Sequence, residues 1–329
     1  MKILIIRFSS IGDIVLTTPI VRCIKKQVPG VEVHYLTKYS FRSIIQSNQY
    51  VDKVYLLNDN FEYLLGELRK ESFDYVIDLH HNLRTLKVKK ALRAKAFSFN
   101  KLNIKKFFFT VFKVNSLPAI HIVDRYFETV KTLGVTNDGM GLDYFIPEKD
   151  RVSNHDIPAA QSLGYIGIVI GAAHNTKKLP VLKLQQLCSR INHPIILLGG
   201  PEDRANGDAI ASVDPIKIYN ACGKFNLNES ADLVRKAKKI ITHDTGLMHI
   251  AAAFKKPIIS IWGNTVPAFG MTPYYGSANQ FFEKAEVKNL WCRPCSKIGY
   301  DKCPFGHFKC MEKQDIQQIA ATANASLKN

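Results

Sequence analysis

The chain has 329 residues, 46% of them hydrophobic, and a formal net charge of +17 at pH 7. This length is sufficient for about two domains. The hydrophobic content excludes a disordered chain, because it supports a packed core. So large a positive charge favours anionic partners, which include nucleic acids, anionic lipid headgroups and phosphorylated substrates.

The sequence contains no recognisable export signal or membrane span. The apolar run near the start is short and is interrupted by Arg7, so it does not resemble the apolar region of a signal peptide. No stretch reaches the length of about 18 apolar residues that a membrane-spanning helix requires. We therefore expect a cytoplasmic protein, either free or at a membrane surface, whose cysteines are mostly reduced.

Apolar runs alternate with amphipathic segments over residues 2–81. Since strands that alternate with helices form parallel sheets, this pattern predicts an α/β domain. Thr18 and Pro19 favour either a helix start at this point or, if the helix begins near Gly12, a kink within it. The predicted strands are residues 2–8, 31–37, 52–58 and 73–81, and the predicted helices are residues 21–27, 41–48 and 61–71.

A second series of the same kind occupies residues 165–263. Between the two series, the polar segment 143–164 contains two prolines and predicts a domain boundary near residue 155. Two such halves predict Rossmann-like domains with parallel sheets facing a cleft, in which ligands bind at the carboxyl ends of strands. The predicted strands are residues 165–171, 193–200, 216–223, 239–244 and 257–263, and the predicted helices are residues 178–191, 202–212, 228–238 and 245–255.

Residues 84–113 depart from this alternation of strands and helices and contain ten Lys or Arg residues, no acidic residue and six phenylalanines. Such a composition is typical of contacts with an anionic membrane surface. It also suits RNA or single-stranded DNA. A solvated basic face with ordinary core phenylalanines is the third interpretation. We favour the membrane surface and expect no nucleic-acid partner.

The loop after the first predicted strand, Ser9–Asp13, carries a carboxylate where a helix is expected to begin. A helix start presents free N–H groups and a positive partial charge, so it favours anions. Asp13 therefore either caps the helix, as Ser10 also can, or takes part in chemistry. Gly12 permits a tight turn or a close backbone approach. The loop lacks the G-x-G-x-x-G pattern of a dinucleotide site.

Three further loops follow strands of the second series. One has small residues followed by Lys177 and Lys178, which either neutralise a phosphate or are solvated surface lysines. Asp244 and Thr245 begin a helix whose N–H groups either hold a phosphate or are capped by these side chains. Glu202 follows a strand that ends in two glycines. A carboxylate there either binds ribose hydroxyls or stabilises the first turn of a helix.

Four cysteines cluster near the end of the chain, together with His307. Their C-x2-C opening is half of a zinc-site pattern, but the second half has the wrong spacing for a common zinc finger. Reduced or oxidation-prone thiols are therefore favoured over a structural metal. The clustered cysteines are Cys292, Cys295, Cys303 and Cys310. The scattered cysteines, which we expect in the core, are Cys23, Cys188 and Cys222.

Three segments resemble the signatures of one known family. Residues 3–19, ILIIRFSSIGDIVLTTP, are similar to its N-terminal signature. Residues 243–267 are similar to its C-terminal signature, a D-[ST]-G-x-x-H segment followed by a strand and a G-x-T loop. Residues 292–311 resemble a cysteine-rich tail of the branch that adds the second heptose. The family is the ADP-heptose:lipopolysaccharide heptosyltransferases, glycosyltransferase family 9, and the poorest similarity lies in residues 85–150.

The resemblance implies a GT-B fold with the active site between two Rossmann-like domains. Residues 1–155 would bind the acceptor, residues 156–312 would bind the nucleotide sugar, and a helix at 313–329 would pack back on the N-terminal domain. The implied reaction is an inverting transfer of heptose from ADP-heptose to a lipopolysaccharide inner-core acceptor of the lipid A–Kdo type. This acceptor is a phosphorylated, lipid-linked saccharide. The implied enzyme needs no metal or other cofactor and works at the cytoplasmic face of the inner membrane.

The resemblance also implies roles for individual residues. Asp13 matches the family's proposed general base, and Lys177 matches a lysine that binds the donor diphosphate. Asn82 and Arg84 would lie on the acceptor side, and no metal-binding residue is expected. The other implied donor-binding residues are Ser10, Gly12, Thr176, Lys178, Glu202, Phe225, Asp244, Thr245, Gly246 and His249.

Two departures from the family pattern leave other functions open. Leu179-Pro180 stands where the family usually has Trp-Pro, and residues 262–265 read Trp-Gly-Asn-Thr instead of the typical Phe-Gly-Pro-Thr. Since these positions belong to the donor-pocket walls, one alternative is a related glycosyltransferase with another nucleotide sugar or a surface-polysaccharide acceptor. An alternative of another class is a basic protein that binds anions or nucleic acid. The ordered strand-end motifs disfavour it.

Overall fold

The computed structural model describes residues 1–278 and 280–325 and divides the chain into two compact units. The main division follows Pro147, a few residues before the predicted boundary. Two short segments depart from the predicted division: Leu102–Ala119 belongs to unit two and Tyr274–Ala278 belongs to unit one. Unit one otherwise contains Met1–Lys101 and Ile120–Pro147, and unit two contains Glu148–Pro273 and the described residues after Ala278.

Unit one contains a parallel sheet in the order β3-β2-β1-β4-β5. The strands are β1 Lys2–Ile6, β2 Glu32–Lys38, β3 Lys53–Leu57, β4 Tyr75–Asp78 and β5 Lys95–Ser98. The helices of the same part of the chain are α1 Ile11–Val15, α2 Thr18–Gln27, α3 Arg42–Ile45, α4 Phe61–Lys70, α5 Leu83–Leu92, α6 Asn103–Phe112 and α7 Ile122–Phe127. Helix α6 belongs to unit two. The central strand β1 is buried from Ile3 to Ile6, as expected of a parallel strand covered on both faces.

Unit two contains a second parallel sheet, in the order β11-β10-β9-β6-β7-β8. The strands are β6 Ile166–Val169, β7 Ile195–Leu198, β8 Ile218–Asn220, β9 Lys239–His243, β10 Ile258–Trp262 and β11 Phe282–Glu286. The helices are α8 Ala159–Ser162, α9 Val181–Arg190, α10 Arg204–Ala211, α11 Leu227–Lys236, α12 Gly246–Ala253, α13 Lys309–Glu312 and α14 Ile316–Asn324. The predicted strands of both series are present, whereas the outermost strands β5 and β11 were not expected.

The region around Pro19 resolves into two helices. Helix α1 ends at Val15, and α2 begins at Thr18, so Pro19 lies in the first turn of α2. A proline is tolerated there, because the first N–H groups of a helix have no partner within it. The helix-start interpretation is therefore confirmed, and the kink is absent.

The last helix packs within unit two. Helix α14 lies against α9, and its apolar residues join the same buried cluster as the β6 and β7 side chains. The buried side of this helix therefore belongs to the core of unit two, and its packing on the N-terminal domain stays a prediction. Of the predicted span 313–329, residues 326–329 lie outside the described residues.

A buried arginine on α2 fastens part of unit one. The Arg22 guanidinium donates two hydrogen bonds of 2.8 Å to the Asp138 carboxylate and one of 2.9 Å to the Gly141 carbonyl, and it also pairs with Asp143. The hydrogen bonds from Arg22 lower the pKa of Asp138 to about 2. This cluster ties α2 to the Ile120–Pro147 segment.

We expect the substitution Arg22→Met to destabilise unit one by about 3 kcal/mol at pH 7, because it leaves two carboxylates without their buried partner. The wild-type contribution of Asp138 is fully present above a pH of about 4 and is lost as the pH falls towards 2, since the carboxyl has the lower pKa in the folded chain. The measurement is urea unfolding of the full chain, followed by circular dichroism at several pH values.

The matched control is Lys131→Met, which removes an exposed cation paired with Glu128 at 4.0 Å. This change should leave stability within about 0.5 kcal/mol of wild type. Equal unfolding midpoints for the Arg22 variant and the wild type would contradict the assignment.

Candidate functional site

In each parallel sheet, the loops that follow the strands emerge at one edge. In unit one, this edge carries Asp13 after β1, and Asn82 and Arg84 after β4. In unit two, the residues predicted to bind the donor follow β6, β7, β8 and β9. They are Thr176, Lys177 and Lys178 after β6, Glu202 after β7, Phe225 after β8, and Asp244, Thr245, Gly246 and His249 after β9.

Asp13 lies in the first turn of α1 and is held from two sides. Its Oδ1 forms an ion pair with Nη2 of Arg7 at 2.7 Å. Its Oδ2 accepts hydrogen bonds from the Ser10 hydroxyl at 2.8 Å and from the Ser10 N–H at 3.1 Å. The capping interpretation of Asp13 is therefore confirmed. Its side chain is 20% exposed, so the carboxylate stays accessible to a ligand.

The surroundings of Asp13 keep it ionised. Burial acts to raise the pKa of this carboxyl, but the Arg7 guanidinium and the Ser10 hydrogen bonds outweigh burial and hold the pKa below its usual range. A carboxylate that is ionised at neutral pH and partly exposed can accept a proton from a hydroxyl. Gly12 is buried within α1 and does not have a positive φ, so no turn that requires glycine is present there, and a close backbone approach to a ligand stays a prediction.

Arg7 is a site residue that the sequence pattern does not reveal, because it reads as an interruption of an apolar run. Its Nη1 donates to the Leu79 carbonyl at 2.5 Å and to the Tyr126 hydroxyl at 3.2 Å, and its Nε donates to the Ser9 carbonyl at 2.8 Å. Arg7 thus joins the ends of β1 and β4 to α7 and fixes the position of Asp13. Arg7 is recognised as a site residue because it is buried at the end of the central strand, and this burial is known only from the folded structure.

The loop after β4 is organised by the buried carboxylate of Asp78. It accepts a hydrogen bond from the His81 N–H at 2.6 Å and pairs with Lys89 at 2.9 Å. Asn82 then accepts a hydrogen bond from the Thr85 N–H at 3.0 Å and caps α5. The Asn82 side chain therefore has a structural role, and its role on the acceptor side stays a prediction.

Arg84 is exposed and lines an open pocket of about 570 Å³ in unit one. The pocket lies at the carboxyl ends of β2 and β3. Its other lining residues are Lys38, Tyr39, Ser40, Leu57, Asn58, Asp59 and Phe61. The fold thus brings two cations, Arg84 and Lys38, together with one carboxylate, Asp59, and with hydroxyl groups and aromatic rings, which are groups that can bind a saccharide.

Lys177 extends from the turn after β6 to the loop after β9. Its Nζ is 2.7 Å from Oδ2 of Asp244 and 3.3 Å from the Asp244 carbonyl oxygen. The Thr265 hydroxyl, which follows β10, donates to the same carboxylate oxygen at 3.0 Å. Three strand-end loops therefore meet at Asp244. The structure thus brings together Lys177 and Asp244, two residues predicted to bind the donor, and adds Thr265.

Helix α12 begins directly beyond Asp244. Its N-cap, Thr245, makes no side-chain hydrogen bond to the helix backbone, and the Thr245 hydroxyl lies 3.3 Å from the Thr242 hydroxyl. The side-chain capping interpretation is therefore wrong for Thr245. Gly246 opens the helix, and His249 lies buried one turn further. A helix start next to the Lys177 ammonium can hold a diphosphate.

Lys178 has a different partner from Lys177. Its Nζ is 2.7 Å from Oδ1 of the buried Asp203, whose Oδ2 accepts the Gly200 N–H at 3.1 Å. Lys178 therefore neutralises a carboxylate inside unit two and is not a solvated surface lysine. Glu202 is exposed at the end of β7, and Phe225 is half-buried after β8.

A segment from Trp291 to Cys310, here called the cysteine-rich segment, holds the Lys177 turn in place. The Thr176 hydroxyl donates to the Tyr300 carbonyl at 2.9 Å, and the Tyr300 N–H donates to the Thr176 hydroxyl at 2.8 Å. Thr176 is buried, so its role in the structure is to anchor the turn. Gly299 has a φ of +126°, and a Cβ added there would lie 2.5 Å from the His174 Cβ.

The cysteines of the described residues are free thiols, and the three scattered cysteines are buried, which confirms their place in the core. Burial raises the pKa of Cys295 to about 12 and that of Cys310 to about 11, so both are protonated at neutral pH. Within residues 1–278 and 280–325, no three His, Cys, Asp or Glu side chains are grouped as ligands for a metal ion.

Sequence comparison assigns the chain to a family. Residues 63–300, more than half of the chain, match the family model for glycosyltransferase family 9 (heptosyltransferase). The two parallel α/β units have the fold of the GT-B class of glycosyltransferases. The chain belongs to glycosyltransferase family 9 and is an enzyme of this class.

Named relatives agree with this family. The chain is 28% identical over 306 residues to a lipopolysaccharide heptosyltransferase 1 of Campylobacter coli, covering 84% of this chain and 86% of the relative. A family 9 glycosyl transferase structure from Veillonella parvula has a TM-score of 0.76 at 22% identity and covers 98% and 96% of the two chains. An E. coli heptosyltransferase, solved with ADP and with ADP-2-deoxy-2-fluoro heptose, has a TM-score of 0.67 at 21% identity and covers 87% and 93%.

The turn that carries Thr176 and Lys177 should loosen in a Gly299→Ala variant, because the added Cβ collides with His174 and the backbone conformation disfavours alanine. We expect amide hydrogen exchange in residues 174–178 to accelerate by about ten-fold, as measured by mass spectrometry. Gly306→Ala is the matched control in the same segment, since Gly306 also has a positive φ, +71°, but its Cβ meets nothing within 4 Å, so only the collision is absent. Equal exchange in the two variants would show that the segment does not anchor the turn.

Proposed function

We propose that the chain transfers a heptose from ADP-heptose, with inversion, to the lipopolysaccharide inner core. The observation that carries the proposal is the Lys177–Asp244 pair at the start of α12, where a diphosphate finds both an ammonium group and helix N–H groups. Family membership and the E. coli relative solved with ADP support this choice of donor. The proposed acceptor is a phosphorylated, lipid-linked saccharide of the lipid A–Kdo type at the inner face of the inner membrane.

The donor side of the proposal belongs to unit two. Lys177 neutralises the diphosphate, and the N–H groups of Thr245 and Gly246 bind its oxygens. Asp244 binds hydroxyl groups of the sugar. The remaining residues proposed to surround the donor are Glu202 at the ribose, Phe225 near the adenine, and Thr176, Lys178 and His249 behind the diphosphate loops. Fixed donors of this kind stabilise the charge that develops on a departing diphosphate.

The acceptor side of the proposal belongs to unit one. An acceptor hydroxyl oxygen forms a bond to the anomeric carbon while the bond from that carbon to the diphosphate oxygen breaks. The electron pair leaves with ADP, and the hydroxyl proton passes to the Asp13 carboxylate. Attack on the face opposite to ADP inverts the anomeric centre. Ser10 and Gly12 position α1, and no metal or other cofactor takes part in the proposed step.

The pairing of Asp13 with Arg7 suits a base that takes the proton after the acceptor oxygen has begun to bond to the anomeric carbon. The low pKa keeps Asp13 ionised and ready at neutral pH, but it also makes the carboxylate a weak base. A hydroxyl becomes far more acidic as it bonds to the anomeric carbon, so a weak base suffices at that point. The Arg84 pocket is the proposed binding place for an anionic group of the acceptor, with Asn82 beside it.

We expect Asp13→Asn to lower kcat by at least about 100-fold, because the amide keeps an oxygen for Ser10 but accepts no proton. The affinity for ADP should stay within about two-fold of wild type, since the base serves the acceptor. Both quantities are measured on the full chain, by product formation from ADP-heptose and by calorimetric titration with ADP.

Glu128→Gln, which removes an exposed carboxylate of unit one, is the control and should transfer at the wild-type rate. Transfer by the Asp13 variant at a near wild-type rate would refute the base assignment. A separate panel of ADP-, GDP- and UDP-sugars tests the donor, and release of GDP or UDP in preference to ADP would refute ADP-heptose.

Substitutions of the adjacent Lys177 and Lys178 should have different effects. Lys177→Met should weaken ADP binding by about 10- to 100-fold. This fold-change corresponds to the free energy that a hydrogen bond to a charged group usually contributes. Lys178→Met should instead lower the melting temperature, because Asp203 would be left as an uncompensated buried charge. Calorimetric titration and thermal unfolding of both variants give the comparison. Loss of ADP affinity in the Lys178 variant alone would reverse the assignment.

A further inference from the structure

Helix α6 has its apolar side chains on the outside. Its apolar residues follow the spacing of a helix face, yet none of the residues of this helix is buried. The exposed side chains are Ile104 at 75%, Phe107 at 52%, Phe108 at 46%, Val111 at 52% and Phe112 at 59%. In an ordinary surface helix this stripe would face the core.

The opposite side of α6 is fixed against unit two. The Phe109 ring lies 5.8 Å from the Phe269 ring, and the Lys106 ammonium lies 5.9 Å from the centre of the same ring. Lys113, which ends the helix, donates to two backbone carbonyls of the cysteine-rich segment at 2.8 and 3.2 Å. These contacts set the rotation of the helix about its axis. The outward direction of the apolar stripe is therefore imposed by the fold of unit two.

The cysteine-rich segment extends this surface. Trp291 is 70% exposed, and its ring lies 4.8 Å from the ring of Phe305, which is also exposed. Exposed lysines alternate with exposed apolar residues along the segment; the lysines are Lys297, Lys302 and Lys309, and the apolar residues are Ile298 and Tyr300. Lys113 binds this segment directly, so the C-terminal end of α6 lies next to residues 292 and 294.

We propose that α6 and the cysteine-rich segment form one docking surface for an anionic lipid bilayer. The apolar stripe of α6 enters the boundary between headgroups and acyl chains, and the lysines contact the headgroup phosphates. Trp291 occupies the headgroup level that tryptophan prefers. A helix of this length, about 15 Å, lies in the plane of the bilayer. Within the described part of the chain, no helix has the length and apolar content to cross a membrane.

The charge of this surface favours an anionic bilayer over a second copy of the chain as its partner. The exposed charged residues of α6 and the cysteine-rich segment are four lysines, Lys105, Lys297, Lys302 and Lys309, and one acidic residue, Asp301, and the whole chain has a net charge of +17. Two copies meeting through this surface would bring like charges together, whereas anionic headgroups neutralise them. Nucleic acid suits the lysines but not the aliphatic stripe, because Ile104 and Val111 have no ring on which a base can stack. This inference does not depend on which sugar the enzyme transfers.

The test compares two triple variants of the full chain. Phe107, Phe108 and Phe112 are replaced by serine in one, and the exposed Leu163, Leu182 and Ile216 of unit two are replaced by serine in the control. Sedimentation is measured with vesicles of phosphatidylglycerol and phosphatidylethanolamine, and with vesicles of phosphatidylcholine alone. The wild type and the control should bind the anionic vesicles, and the phenylalanine variant should bind at least about ten-fold more weakly. Its ADP affinity and circular dichroism should equal those of wild type.

Tryptophan fluorescence of the wild type gives a second readout that needs no variant in α6. The chain has two tryptophans, and Trp262 is buried, so an emission shift on adding vesicles reports on Trp291. We expect a blue shift with anionic vesicles and its loss in Trp291→Phe.

Either of two results would overturn the proposal. One is unchanged vesicle binding by the phenylalanine variant. The other is a wild-type dimer, seen by analytical ultracentrifugation, that only this variant abolishes.

Discussion

Parallel strand pairing is the constraint on which the rest of this structure depends. Since paired strands run in the same direction, each needs a crossover, and all their carboxyl ends lie at one edge of the sheet. In unit two this brings Lys177, Asp244 and Thr265 within hydrogen-bond distance, although they are far apart in sequence. In unit one it brings Arg7 to the end of β4. The sheet topology therefore determines which polar side chains lie together at the carboxyl ends of the strands.

At these edges Asp13 pairs with Arg7, Lys177 pairs with Asp244 and Lys178 pairs with Asp203. For the two lysines, the burial of the partner decides what each pair can do. Asp244 keeps 15% of its side chain exposed, so a diphosphate can compete with it for Lys177. Asp203 keeps only 3%, so removing Lys178 from it would leave a charge that water cannot reach. Two adjacent lysines thus have partners of different burial, because the strands place different carboxylates opposite them.

How well a strand of this protein can be predicted from the sequence depends on how deeply the strand is buried. Central parallel strands are covered on both faces and appear as continuous apolar runs, which is why β1 and β6 were predicted. The outermost strands β5 and β11 are half-exposed and mix lysine or glutamate with apolar residues, so neither run stands out. Asp13 and Lys177 were singled out because they lie in loops that follow strands and because they match the family pattern, and their roles stay predictions. The choice of partner for each, and the place of Arg7 and Thr265, depend on crossovers that no local pattern contains.

The same reasoning explains why composition alone misjudges residues 84–113. That stretch combines α5 and β5, which belong to unit one, with α6, which belongs to unit two. Some of its lysines already serve the fold: Lys89 pairs with the buried Asp78, and Lys113 binds backbone carbonyls. The count of ten cations therefore overstates the charge available to an anionic surface. What distinguishes α6 is the direction of its apolar stripe, which the contacts of Phe109 and Lys113 hold away from unit two.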